Sequence, residues 1–104
     1  MGRVILEEIV PLTPSEFVLR VHRVAAEPHL SRPYDITRSG LTLLLTVAGE
    51  DGPAGEVPIS MEPTPAGTVI RMEEQPSIEL ESDPGRLAEM FVRRVLADIA
   101  VYPR

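Results

Sequence analysis

Between Gly40 and Ser82 apolar and polar residues alternate in four short runs parted by Gly/Pro turns, with a capped amphipathic helix pattern on either side. Leu41, Leu43, Leu45 and Val47 alternate with Thr42, Leu44, Thr46 and Ala48, and Val57, Ile59 and Met61 with Glu56, Pro58, Ser60 and Glu62. Ile70 and Met72 then point inward within residues 68–73, and Ile78 and Leu80 stand between Glu79 and Glu81. A period of two is that of a strand with one buried face, so these runs predict an antiparallel sheet. The turns fall at Gly49–Gly55, Pro63–Gly67 and Glu74–Pro76. Pro58 offers no N–H, so its strand is expected at an edge or facing solvent on that side. The uncharged, β-prone stretch Leu41–Val47 is expected as a central strand under both helices, or to place its outer Leu44 in an interface.

Before this meander, residues 3–10 read as a first strand that is apolar on both sides, with Val4, Leu6 and Val10 on one and Ile5 and Ile9 on the other. Such a strand is central, carries a bulge, or meets a second chain. A helix is predicted over 14–26. Thr13 and Glu16 have capping-box spacing, Pro14 suits the first turn, and Leu12 and Phe17 stand at staple positions. Phe17, Val18, Val21, Val24 and Ala25 form its apolar stripe, with Glu16, Arg20, Arg23 and Glu27 assigned to the solvated side. Pro28 ends it. Residues 27–39 contain Pro28 and Pro33 and few apolar residues, and read as a long loop with a helical turn near Tyr34. Asp83 and Pro84 open a closing helix that runs to about residue 100, with Leu87, Phe91, Val95 and Ile99 as its apolar face and Ala88, Val92 and Leu96 beside them; Glu89 and Arg93 form an i,i+4 pair.

The expected fold is therefore α+β, one domain spanning 1–104: an antiparallel sheet of about five strands packed on one face by two helices, in the order β-α-β-β-β-β-α. A chain of 104 residues without cysteine holds by packing alone. It also lacks lysine and asparagine, a compositional bias. Residues 40–83 carry nine acids against Arg71 alone, within a net charge of −6, so phosphate backbones are repelled and no nucleic-acid partner is expected. No apolar run nears the ~20 residues of a membrane span. The opening Met-Gly-Arg-Val-Ile-Leu-Glu-Glu meets acid after three apolar residues, unlike a signal peptide, and Leu6 stands where a myristoylation motif wants Ser or Thr. A cytoplasmic protein with no membrane partner is expected.

Candidate chemistry is sparse. His22 and His29 titrate near neutrality and with Asp35 make a conceivable metal set, but seven residues part the histidines and match no helical ligand pair. Glu56, Glu62, Glu73, Glu79 and Glu81 resemble acid–base carboxylates, yet their alternation with inward residues turns them to water. The glycines of 49–55 flank Glu50 and Asp51, which makes a turn and not a phosphate cradle. No catalytic residue, metal or cofactor is assigned.

Three segments carry a family resemblance. Ile9-Val-Pro-Leu-Thr-Pro-Ser-Glu-Phe17 looks like a first strand running into a capped helix, Ile59–Arg71 like a hairpin with a Pro/Gly turn, and Asp83–Ala100 like a long closing helix. Their order resembles the helix-grip fold of the START/Bet v 1-like (polyketide cyclase-like) superfamily. The resemblance implies a sheet gripped by its last helix with room for a ligand between them, and no shared catalytic motif.

The reading that results is a small non-enzymatic binding or interaction protein, a homodimer or the small partner of a larger protein, with Ile5, Ile9 and Leu44 as interface residues. The alternative is a helix-grip protein holding a small apolar ligand among Leu43, Leu45, Met61, Met72, Phe91 and Val95. An enzyme using His22 or His29 stands third.

Overall fold

The computed structural model describes residues 4–27, 35–49, 52–73 and 83–103. Its elements are β1 (Val4–Val10), α1 (Pro14–Ala25), β2 (Asp35–Ser39), β3 (Thr42–Gly49), β4 (Gly52–Thr64), β5 (Gly67–Glu73) and α2 (Asp83–Val101). The five strands form one antiparallel sheet in the order β1-β5-β4-β3-β2, with both helices on one face. The α+β class and element order are those the sequence predicts.

Local chemistry fixes α1. Thr13 Oγ1 accepts from the Glu16 amide at 3.2 Å while Glu16 Oε1 accepts from the Thr13 amide at 2.9 Å, a complete capping box. Phe17, Val21 and Val24 are buried from its stripe, and Val18 and Ala25 pack half-buried beside them. Arg20 is the exception to the expected solvated side. It is only 8 % exposed, because a position three residues after Phe17 and four before Val24 faces α2. There Nη1 donates to Asp98 Oδ2 at 3.2 Å and to the Tyr102 carbonyl at 2.5 Å, so one guanidinium ties the middle of α1 to the end of α2.

The loop expected over 27–39 ends instead in a strand. β2 pairs antiparallel with β3 from Asp35↔Thr46 to Ser39↔Thr42, turning on Gly40 at φ +60, a conformation glycine adopts without strain. Arg38 Nη1 donates to Ser15 Oγ at 3.0 Å, which anchors this edge strand to α1. Likewise β3 runs to Gly49 and β4 begins at Gly52, inside the turn predicted over 49–55. The helical turn near Tyr34 and the strand around Ile78 and Leu80 lie outside the described residues.

Pro58 sits in the middle strand of the sheet and not in an edge strand, and the hydrogen-bond alternation explains why it is tolerated. The Met61 amide donates to the Leu41 carbonyl at 2.8 Å, so odd-numbered residues of this part of β4 face β3 and Pro58 faces β5. The β4–β5 register begins at Ile59↔Met72, one residue beyond Pro58, so no ladder bond there asks for its N–H.

β1 lies at the end of the sheet, and of the three readings for a two-faced strand the bulge is the one observed, between Val4 and Leu6. Its passage into α1 is stitched to the β4–β5 turn. A Cβ on Gly67 (φ +142) would stand 2.0 Å from the Val10 carbonyl oxygen, so only glycine allows this approach. Next to it the buried Thr68 hydroxyl donates to the Leu12 carbonyl at 2.6 Å.

Candidate functional site

The six residues proposed to line a ligand site, Leu43, Leu45, Met61, Met72, Phe91 and Val95, are each at most 2 % exposed and belong to one continuous apolar cluster with Ile59 and Ile70. Neither the groove between β1 and α2 nor the two beside α1 is lined by any of the six. They fill the interior between sheet and helices, where facing side chains interdigitate.

The three interface candidates are dispersed. Ile9 is 52 % exposed on β1. Ile5 is half-buried against the core beside the bulge. Leu44 is half-buried on the outer sheet face. The rows that cross this face run Ile9–Val69–Glu62, then Glu7–Arg71–Ser60–Thr42–Ser39, then Pro58–Leu44–Thr37, so a polar row separates Ile9 from Leu44. Sequence parity finds the shared face but not the distance across it, because the strand order is decided by the whole chain.

In that polar row the Arg71 guanidinium forms an ion pair with the Glu7 carboxylate. The hydrogen bond to Glu7 holds Arg71 above its ordinary pKa, followed by the Glu7 charge; desolvation opposes them, and Glu73 and Glu62 add smaller contributions. Glu56 and Glu62 are exposed and Glu73 half-exposed, in solvated positions; Glu79 and Glu81 lie outside the described residues. His22 is exposed on α1 and Asp35 exposed on β2, while His29 lies outside the described residues. Among the described residues no three His, Cys, Asp or Glu side chains are placed to share a metal ion.

The feature with the shape of a site is the far side of β1. A groove of about 460 Å³ runs between this strand and α2, lined by Glu8, Val10, Arg93, Leu96, Ala100 and Pro103 among others. On α2 the lining residues fall at helical spacing, so one stripe of the helix forms the wall. Parity carried across the sheet from Met61 turns the backbone groups of Leu6, Glu8 and Val10 toward β5 and those of Glu7 and Ile9 away from it. Among the described residues no strand pairs with that second edge. Glu8 is exposed and makes no ion pair among them, whereas Arg93 is held by Glu89 at 3.0 Å, the i,i+4 pair the sequence predicts. The sequence signal for this site was the two-faced pattern of β1; what it lacked was the position of α2.

Two smaller grooves flank α1. One, of about 330 Å³, lies between Pro11–Glu16 and the Pro63–Thr68 turn. The other, of about 290 Å³, is formed by Leu12, Glu16, Leu19, Arg20 and Arg23. Neither brings convergent acid, base and nucleophile together. No helix among the described residues is long and apolar enough to cross a membrane. Comparison with protein-family models, curated proteins and solved structures gives no match to this chain.

Proposed function

We propose that the chain is a non-enzymatic interaction module whose working surface is the outer edge of β1 together with the β1–α2 groove. The observation that carries this reading is the coincidence of an end strand presenting the N–H and C=O groups of Glu7 and Ile9 with an apolar channel alongside it. An edge strand beside a helix-walled groove is the arrangement that takes up an extended peptide by strand addition. Main-chain bonds supply affinity, and alternate side chains enter the channel. Ile9 is then the exposed apolar contact on the outer face, and Leu96 and Ala100 are the floor.

Ligand storage in the core, as the helix-grip resemblance implies, is the weaker reading, since the six residues it needs pack against one another.

Selection from a displayed library of random peptides, with the binders mapped by amide chemical shifts, tests the proposal. The expected result is perturbation concentrated at Glu7–Val10 and along the Leu96–Ala100 stripe. Filling the groove by Ala100→Trp should weaken binding at least roughly tenfold. Leu19→Glu, in the groove beside α1, should leave it unchanged. Binders whose shifts map elsewhere, or a groove-filled variant that binds as well as the wild type, would refute it.

A further inference from the structure

We infer that the occupant of the β1 edge is an extended segment of a different protein with the pattern apolar-apolar-basic, and not a second copy of this chain. The inference rests on the interaction reading above and adds the chemistry of the partner.

The case against a second copy is one of register. Within Leu6–Val10 the Glu7 and Ile9 backbone groups face outward, so a symmetric antiparallel pair of β1 strands must centre on a residue that sets outward groups against outward groups. Centred on Glu7, the pairing puts that glutamate directly opposite its counterpart. Centred on Glu8, it does the same for Glu8. Like charges placed directly opposite destabilise a strand pair. Centred on Ile9, it spares both glutamates but sets Glu7 against Pro11, which has no N–H to give. A centre nearer Val4 runs into the bulge between Val4 and Leu6. Charge, proline and bulge are the devices by which sheet edges avoid pairing with themselves.

The like-charge obstacle is absent for a complementary strand that spans Glu7–Val10, short of both the bulge and Pro11. Read along β1 from Val10 to Glu7, the edge offers an apolar side chain to the groove, an apolar one to the outer face, an unpaired carboxylate at the groove and then the Glu7–Arg71 pair outside. Opposite these stand, in order, an apolar residue in the channel beside Leu96 and Ala100, a second against Ile9 and a basic residue against Glu8, the Glu7 carboxylate beyond being already paired with Arg71. The net charge of −6 draws such a segment in from a distance.

Fluorescence anisotropy with labelled ten-residue peptides tests this, their centres being Val-Val-Arg-Ser, Val-Val-Ser-Ser or Val-Val-Glu-Ser. Each is read against the wild type, Glu8→Gln and Ala100→Trp, alongside sedimentation velocity of the chain alone. The arginine peptide should bind at least roughly tenfold tighter than the glutamate peptide. Its advantage should shrink several-fold in Glu8→Gln and with added salt, and the chain should sediment as a monomer. If the three peptides bind equally and still shift the β1 amides, the module reading survives and the basic partner does not. A concentration-dependent dimer broken by Ala100→Trp would make the occupant a second copy and overturn the inference. Peptides that leave every β1 amide unmoved would overturn both.

Discussion

Replacing Arg20 by methionine removes the buried guanidinium that ties the middle of α1 to the end of α2. The guanidinium donates to Asp98 at 3.2 Å and to the Tyr102 carbonyl at 2.5 Å, and it is 8 % exposed as a residue. Hydrogen bonds to charged groups contribute about 1.5–3 kcal/mol each, and breaking a well-buried pair from one side costs about 3–5 kcal/mol. The pair lies near the rim of the helix interface, where water can reach the abandoned Asp98. A loss of about 2–3 kcal/mol is therefore expected, below the fully buried figure. For a domain of this size that lowers Tm by roughly 10–20 °C. Urea unfolding followed by far-UV circular dichroism should show the midpoint falling at constant slope. The partner variant Asp98→Leu should cost a similar amount, and the double variant less than the two combined by at least about 1 kcal/mol, since an apolar pair leaves no stranded charge. Additive losses, or an Arg20→Met midpoint within error of the wild type, would refute the view that this contact locks the helices.

Gly67→Ala should be among the most damaging single changes, costing at least about 3 kcal/mol by urea unfolding, because both the backbone angle and the Val10 carbonyl forbid a Cβ. Thr68→Val keeps the shape but strands the Leu12 carbonyl, so a loss of about 1–2 kcal/mol is expected in the same assay. Thr13→Ala removes one half of the capping box and should cost about 1 kcal/mol, visible as early fraying of α1 in amide exchange. Because the Arg71 pKa is raised, the stability its pairing with Glu7 adds is complete below the unfolded-state value and lost only as pH climbs through the folded one. Melting curves of wild type and Arg71→Met should accordingly stay parallel from about pH 7 to about pH 9 and converge with added salt.

The elements with strong local chemistry were readable in advance. Thr13, Glu16 and Phe17 define the start of α1 by spacing alone, and the Leu43/Leu45 and Ile70/Met72 alternations mark which face of the sheet is buried. What escaped was decided by distant residues. β2 has a single apolar residue, Ile36, so the period-two signal fails there; the Ser-Gly step before Thr42 was the available clue, a two-residue hairpin turn on Gly40. Arg20 occupies a buried helical position by spacing, but its charge argued the other way, and only Asp98 and the end of α2, nearly eighty residues on, make that burial affordable. Pro58 points to an edge strand or a solvent-facing side, because a lone proline does not reveal that the neighbouring ladder stops one residue short. The candidate site was half legible. The two-sided β1 was visible in residues 4–10, whereas the groove exists only because α2 returns across the sheet.

Among the described strands the neighbour of the first is the last, Val10 lying across from Thr68 and Val4 from Glu73. A nascent chain therefore carries Leu6 and Val10 unshielded until about sixty further residues have left the ribosome. Closing so distant a pairing is entropically slow. Pausing synthesis ahead of residue 67 should yield a chaperone-dependent intermediate, whereas a pause placed after α2 has emerged lets the sheet complete itself.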